Sequence, residues 1–220
     1  MDTDIVLDDY QEEVLKCNQN LVLCTGRQVG KTTIMARKAV NYMIKKPGSK
    51  IIIVSLTEDQ AKLIIIMMLD YLEKKDRKMI ARGKKKPTQN KLNLKNKSSA
   101  IARPVGTTGD AVRGFTGDVL IIDEASRMPE LVWTASRPTL LTTGGQIWMC
   151  STPFGKQGYF WEAFQNKHDK FKVFHISSEK VIHERPINDN WTEKKSKEAK
   201  KFLELEKTDM SDLQYGQEYL

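Results

Sequence analysis

Two groups of residues in this chain could do chemistry together: a glycine-containing loop and, much later, a pair of acids. The loop spans residues 25–33 and follows the apolar run 21–24, and Asp123 and Glu124 close the apolar run 119–122. A loop of this composition places backbone N–H groups and a lysine around phosphates, at the positive end of the helix that follows. The two features together predict that the chain binds a nucleoside triphosphate with Mg²⁺ and hydrolyses it.

Each polar side chain of these motifs has an expected role. Lys31 is expected to contact the β- and γ-phosphates, and the Thr32 hydroxyl is expected to bind Mg²⁺. Asp123 would hold the same ion, partly through water, and Glu124 would orient the attacking water. The predicted nucleotide-binding loop comprises Thr25, Gly26, Arg27, Gln28, Val29, Gly30, Lys31, Thr32 and Thr33.

The loop departs from the usual pattern G-x-x-x-x-G-K-[ST]. Thr25 stands where the first glycine is expected, and Gly26 comes one position late. A chance Gly-Lys-Thr in a turn is therefore an alternative interpretation, and Asp123-Glu124 could be an N-cap for the next helix, a role compatible with catalysis. The apolar run before the loop, the helical pattern after it and the separate acidic pair favour a nucleotide site.

Length and composition narrow the class of protein. The 220 residues, 40% hydrophobic, fit one large domain or a core with an appendage. The longest apolar stretch, residues 63–69, is too short to cross a membrane, and the acidic N-terminus lacks the apolar segment of a signal peptide. Three cysteines give no disulfide framework, and no histidine has zinc-site spacing. We expect buried thiols and a protein without membrane association.

The positive charge is concentrated in one segment, residues 74–97, which we call the basic band. It contains eleven lysines or arginines and one acid, Asp76, in a chain whose net charge is +8. Such a concentration indicates a polyanionic partner, although a solvated loop without a partner is the alternative. Lys84, Lys85 and Lys86 are the candidate DNA contacts.

Strand and helix patterns alternate along the chain. Strands are predicted at residues 21–25, 50–55, 91–95, 100–103, 119–123, 146–151 and 171–176. Helices are predicted to begin near residue 7 and to span residues 32–46, 57–75 and 192–206. This alternation predicts an α/β fold with a mostly parallel sheet flanked by helices and with the nucleotide at the carboxyl ends of the strands.

The loop from Gly26 to Thr33 resembles the deviant Walker A motif of viral terminase large subunits, the ATPases that pump DNA into preformed capsids. That family typically lacks the first loop glycine and has Arg-Gln inside the loop. Other motifs are similar too. Tyr10-Gln11 looks like the adenine-reading glutamine motif, Asp123-Glu124-Ala125 like Walker B with the catalytic glutamate, Ser151-Thr152-Pro153 like the coupling motif, and Arg113 like the arginine that reaches a neighbouring subunit's nucleotide.

The resemblance implies a P-loop NTPase of the ASCE (RecA-like) type that uses ATP and Mg²⁺. It further implies an ATPase core at residues 1–179, a helical lid at residues 180–220, and no nuclease domain in this chain. Expected partners are double-stranded DNA, further copies in a ring, a portal protein and a small terminase subunit. The expected location is the cytoplasm of the infected host cell, transiently on a procapsid. A helicase-like DNA-dependent ATPase and a nucleotide-gated DNA-binding module with little turnover are the alternatives.

Overall fold

A seven-stranded sheet forms the centre of the computed structural model, which describes residues 6–220; the acidic N-terminus, residues 1–4, lies outside this range. The strand order is β3-β4-β2-β5-β6-β1-β7, and all neighbouring strands are parallel except β3 and β4. The strands are β1 (Leu21–Thr25), β2 (Lys50–Ser55), β3 (Lys91–Asn93), β4 (Ser99–Pro104), β5 (Val119–Asp123), β6 (Gln146–Ser151) and β7 (Lys172–Ile176).

Helices cover both faces of this sheet. They are α1 (Asp9–Lys16), α2 (Lys31–Lys45), α3 (Glu58–Asp76), α4 (Glu130–Ser136), α5 (Gly158–Gln165), α6 (Ser178–Glu184), α7 (Glu193–Asp209) and α8 (Asp212–Tyr219). Short 3₁₀ turns occur at Arg77–Met79, Gly83–Lys85, Asp110–Val112, Ala125–Arg127 and Arg137–Leu140.

The central strands separate two apolar clusters because successive side chains point to opposite faces. In β1, Leu21 and Leu23 pack with residues of α2 and α3, whereas Val22 and Cys24 pack with residues of α4 and α5. Every residue of β1 and β5 is buried. This explains why both strands are continuous apolar runs, and it fixes the ends of these strands, where the polar motifs begin.

Helix α1 is fastened to α2 by a buried lysine. The Lys38 ammonium donates to the carbonyl oxygen of Val14 at 2.8 Å and to that of Cys17. Burial lowers the pKa of Lys38 to about 8. These contacts hold the N-terminal residues of the described chain against the helix that follows the glycine-containing loop.

The α/β fold and its predicted strands are confirmed, with end shifts of one or two residues in β3, β4 and β7. The predicted helix at 192–206 extends to Asp209, and α4, α5, α6 and α8 were not predicted. The division at residues 179 and 180 falls inside α6, whose Val181 belongs to the main apolar cluster, and it stays a prediction. No helix among residues 6–220 has the length and apolarity to cross a membrane.

Candidate nucleotide site

The loop between β1 and α2 has the backbone of a phosphate cradle. Gln28 and Gly30 both adopt positive φ, at 56° and 92°. Left-handed residues at such positions turn successive N–H groups towards one point, which forms an anion-binding concavity. Gly30 is also the N-cap of α2, so the positive end of that helix opens into the loop. Lys31 is the first helical residue.

The late position of Gly26 has a steric cause. A Cβ atom on Gly26 would clash with Ser178 Oγ and would lie 2.8 Å from the carbonyl oxygen of Tyr219. The Gly26 N–H donates to the Ile176 carbonyl at 2.9 Å. Thr25, at the usual glycine position, is fully buried and its hydroxyl donates to the Gly26 carbonyl at 3.0 Å. In this chain, the absence of a side chain at Gly26 leaves room for Ser178 of α6 and Tyr219 of α8.

Lys31 and Glu124 meet across the site. Lys31 Nζ lies 3.1 Å from Glu124 Oε1, and both side chains are mostly buried. Ser151 Oγ lies 3.4 Å from Glu124 Oε2. The structure therefore brings the predicted phosphate lysine, the predicted general base and Ser151 of the predicted coupling motif into one contact network.

The helix-cap interpretation of Glu124 is not supported by its side chain. Glu124 precedes the 3₁₀ turn Ala125–Arg127, but its carboxylate makes no capping hydrogen bond. Its backbone has φ of 51°, which is uncommon for a residue with a side chain and is found at strained functional positions. The conformation directs the carboxylate to Lys31 and Ser151.

Asp123 and Thr32 are the side chains predicted to hold Mg²⁺. Asp123 is 4% exposed, and Cys150 Sγ lies 3.2 Å from Asp123 Oδ1. Burial, more than any other influence, raises the pKa of Asp123, and a bound cation would oppose this by favouring the charged form. No group of three or more His, Cys, Asp or Glu side chains among residues 6–220 could hold a metal ion. A hydroxyl and one carboxylate nevertheless fit Mg²⁺, which takes its other ligands from water and phosphate.

Ser126 joins the acidic pair to the strand beside it, a role that the sequence did not reveal. Its hydroxyl lies 2.7 Å from Ser151 Oγ and donates to the Thr152 carbonyl at 2.8 Å. Thr152 is buried, and Pro153 follows it. A serine two positions after Glu124 forms no distinctive pattern, because the contact depends on the register of β5 and β6.

Tyr10 and Gln11 lie against the other side of the loop. The Tyr10 hydroxyl donates to the Val29 carbonyl at 2.5 Å. Gln11 Oε1 accepts from the Asp8 N–H at 3.2 Å, and Gln11 Nε2 lies 3.3 Å from the Tyr10 hydroxyl. Both side chains are buried. Gln11 lines a cavity of about 230 Å³ beside Gln28 and Thr33, where a base could lie next to the phosphate loop.

Arg27 turns towards the C-terminus of the described chain. The Arg27 guanidinium pairs with the Glu218 carboxylate, and the backbone N–H of Arg27 donates to the Glu218 backbone carbonyl at 2.8 Å. The hydrogen bond from Arg27 holds the pKa of Glu218 below its usual value. The Thr33 hydroxyl also points away from the loop, since it lies 3.9 Å from Met67 Sδ in α3.

Two predicted groups lie outside this network. Arg113 Nε donates to Asp110 Oδ1 at 2.8 Å in an exposed ion pair. Among residues 6–220 it makes no hydrogen bond or ion pair with the phosphate loop or with Asp123 and Glu124. Lys84, Lys85 and Lys86 lie in and directly after an exposed 3₁₀ turn at the β3 edge of the sheet. The basic band is folded there, since Asn93 Nδ2 donates to the Lys85 carbonyl at 3.1 Å.

The parallel sheet, the phosphate loop after β1 and the acidic pair after β5 define a RecA-like P-loop nucleotide-binding fold. Residues 22–217 match the family model described as terminase large subunit, T4likevirus-type, N-terminal. The chain belongs to this family.

Individual relatives agree with this assignment. The terminase large subunit of Thermus phage G20c is 28% identical in a match that covers 74% of this chain and 40% of that protein. The chain thus spans well under half the length of this relative. The large terminase ATPase domain of Thermus phage P74-26 superposes with a TM-score of 0.74 at 24% identity, covering 97% of this chain and 92% of that one. The large terminase of a thermophilic bacteriophage, solved in complex with ATP-γ-S, gives a TM-score of 0.70 at 17% identity, covering 98% of this chain and 52% of that one.

Proposed function

We propose that this chain is the ATPase motor domain of a terminase large subunit and hydrolyses Mg-ATP to move double-stranded DNA into a procapsid. The observation that supports this most is the contact of Lys31 with Glu124 at 3.1 Å beside a phosphate-binding backbone. This contact unites a phosphate ligand and a general base from two distant motifs. The names of the matched relatives, which are terminases, supply the biological setting.

The resting ion pair suggests how the site responds to nucleotide. Phosphate oxygens would draw Lys31 away from Glu124, because a charge-assisted contact with a triphosphate is stronger than one with a single carboxylate. The released Glu124 carboxylate can then accept a proton from the attacking water. Thr32 and Asp123 would hold Mg²⁺, which neutralises charge on the phosphates.

Ser151 and Ser126 are suited to report this change. Ser151 touches Glu124, and Ser126 links Ser151 to the backbone of Thr152. When Glu124 moves, the hydrogen bonds of these two serines must rearrange. In this proposal Ser151, Thr152 and Pro153 pass the γ-phosphate state to the helices at residues 180–220, which act as a lid.

The remaining parts of the motor would come from other subunits. Arg113 would act on a neighbouring subunit's nucleotide in a homo-oligomeric ring, since its guanidinium does not contact its own site. A portal protein and a small terminase subunit are proposed partners. The protein would work in the cytoplasm of the infected host cell, transiently docked on the procapsid.

The position of Arg113 away from its own site also favours a second candidate function for the isolated chain, a nucleotide-gated DNA-binding module. Without a neighbour, the site lacks this cation to stabilise charge in the transition state, so the chain would bind ATP and turn it over slowly. A nucleotide-gated DNA-binding module would stay slow at any protein concentration. A motor subunit would instead accelerate steeply as rings form.

The proposal is tested by Mg²⁺-dependent phosphate release and by ATP binding, in wild type and Lys31→Ala. The variant should lose hydrolysis and bind ATP more weakly, because the lysine contact with the phosphates is gone. The matched control is Lys45→Ala, at the far end of α2. Lys38→Ala is unsuitable as a control, because Lys38 holds α1 against α2. Undiminished turnover in Lys31→Ala would remove this loop from the reaction.

A further inference from the structure

The cavity beside the phosphate loop has a second wall that none of the recognised motifs supplies. Gln28, Gly30 and Thr33 line the cavity from the phosphate loop, and a later segment lines it with Arg185, Asn188, Asn190 and Trp191. The second group lies between α6 and α7, far in sequence from every nucleotide motif. Because Gln11 lines the same cavity, this group is a candidate for reading the nucleotide.

This second wall is held in a fixed shape. Arg185 forms two hydrogen bonds with the Asp8 carboxylate, at 2.9 and 2.7 Å. The Asn188 side-chain oxygen accepts from the N–H groups of Asn190 and Trp191 at 2.9 and 3.0 Å. The Arg185 guanidinium lies 5.1 Å from the centre of the Trp191 ring, within the range of a cation–π contact. The Trp191 ring is therefore supported before any ligand arrives.

Trp191 also has unused hydrogen-bonding capacity. Its indole N–H is buried and has no acceptor among residues 6–220. Buried donors normally have partners, so a donor without an acceptor beside a cavity of about 230 Å³ points to a ligand. Gln11 is less free, because its carbonyl oxygen already accepts from the Asp8 N–H within the cap of α1.

We propose that Trp191 is a specificity-determining residue that stacks on the nucleobase and favours purines over pyrimidines. A purine offers the larger ring surface to an aromatic side chain and so stacks more strongly than a pyrimidine. Arg185, bound to Asp8, is a positioning residue for the ring. This inference rests on the proposed nucleotide site.

Calorimetric binding of a non-hydrolysable ATP analogue, the matching CTP analogue and inorganic tripolyphosphate, each with Mg²⁺, tests the proposal. Trp191→Ala should weaken binding of the ATP analogue by about tenfold or more, since base stacking on an aromatic side chain is worth that much. Its affinity for tripolyphosphate should stay at the wild-type value, because that ligand has no base. Trp191→Phe should retain the purine preference. Trp161→Ala, on α5, is the matched control and should change nothing.

An unchanged ratio of ATP to CTP analogue affinity in Trp191→Ala would overturn the proposal. If Trp191→Ala loses tripolyphosphate binding as well, Trp191→Leu replaces it, and a wild-type ratio in that variant overturns the proposal equally. A wild-type chain that binds neither ATP analogue nor tripolyphosphate would refute the nucleotide site itself, which is a separate result.

Discussion

The nucleotide site and the lysine cluster of the basic band both contain several cations, but their partners differ. In the site, Lys31 pairs with Glu124, Arg27 with Glu218, and Arg185 with Asp8. In the basic band, the cluster Lys84, Lys85 and Lys86 forms no ion pair among the described residues, and its side chains are exposed. Each of these cations in the site is paired with a carboxylate, whereas the lysines of the cluster face solvent without such a partner among the described residues.

The difference teaches how each region would meet an anion. In the proposed site, an arriving triphosphate would compete with carboxylates for these cations, so binding would be coupled to movement of Glu124, Glu218 or Asp8. At the lysine cluster, an arriving polyanion displaces only water and counterions, so binding depends on salt and needs no rearrangement of the protein. Under the proposed function, hydrolysis and coupling would use the first arrangement, and sequence-independent DNA binding would use the second.

The largest expected effect on hydrolysis comes from Arg113, a cation that lies outside both regions. Arg113→Ala should leave ATP affinity nearly unchanged and remove hydrolysis that is stimulated by assembly. An arginine supplied by a neighbour contributes about 10³–10⁵ in kcat. The measurement is turnover as a function of protein concentration. Asp110→Ala, which frees Arg113 from its partner, is the matched control and should keep the stimulation.

Mixed rings show whether Arg113 acts across an interface. Arg113→Ala mixed with Glu124→Gln should recover some activity, since some interfaces then combine an intact arginine with an intact glutamate. Absence of recovery, in samples where mixed rings are shown to form, would limit Arg113 to its own subunit or to no role in hydrolysis.

A smaller effect is expected from the lysine cluster, and it should appear in DNA binding and not in ATP hydrolysis. If it contacts duplex DNA, log affinity should fall with log salt by about 0.9 per phosphate neutralised. Replacing Lys84, Lys85 and Lys86 with alanine should flatten that slope by up to about 3 units. Basal hydrolysis should stay the same, because the cluster lies at the β3 edge of the sheet, away from the phosphate loop after β1.

A charge-matched variant separates local contact from net charge. Lys194, Lys197 and Lys201 are exposed residues of α7, and their replacement with alanine removes the same charge. That triple variant should keep a steeper slope than the variant that lacks the lysine cluster. An unchanged slope in the cluster variant would mean that the basic band is a solvated surface, and DNA contacts would then be sought on the helices of residues 180–220.

Much of the fold could be predicted because its central strands are buried on both faces. Residues 119–122 and 51–54 are apolar throughout, and a short, continuous apolar run between polar motifs is typical of an interior strand of a parallel sheet. The phosphate loop could be predicted for a similar reason, since its residues are contiguous. The short helices α4, α5, α6 and α8 were missed, because seven or eight residues hold too little periodicity to show a pattern.

The rest of the candidate site could not be predicted because its contacts join distant parts of the chain. Arg185 meets Asp8, and Glu218 meets Arg27, through the packing of C-terminal helices that no local pattern specifies. The position of Gly26 in the loop also depends on contacts with distant residues. Sequence alone showed that the glycine was misplaced relative to the common motif, whereas the structure shows Ser178 and Tyr219 beside it.

The central claim is that Glu124 is the base of an ATP-hydrolysing site and Lys31 its phosphate ligand, and one paired measurement tests it most directly. Mg-ATP binding and single-turnover hydrolysis are measured on the same sample of Glu124→Gln. Binding should be at least as tight as in wild type, because glutamine no longer holds Lys31 as an ion pair. Hydrolysis should fall by about 10²–10⁴, the usual contribution of a general base. Turnover within about threefold of wild type would contradict the account.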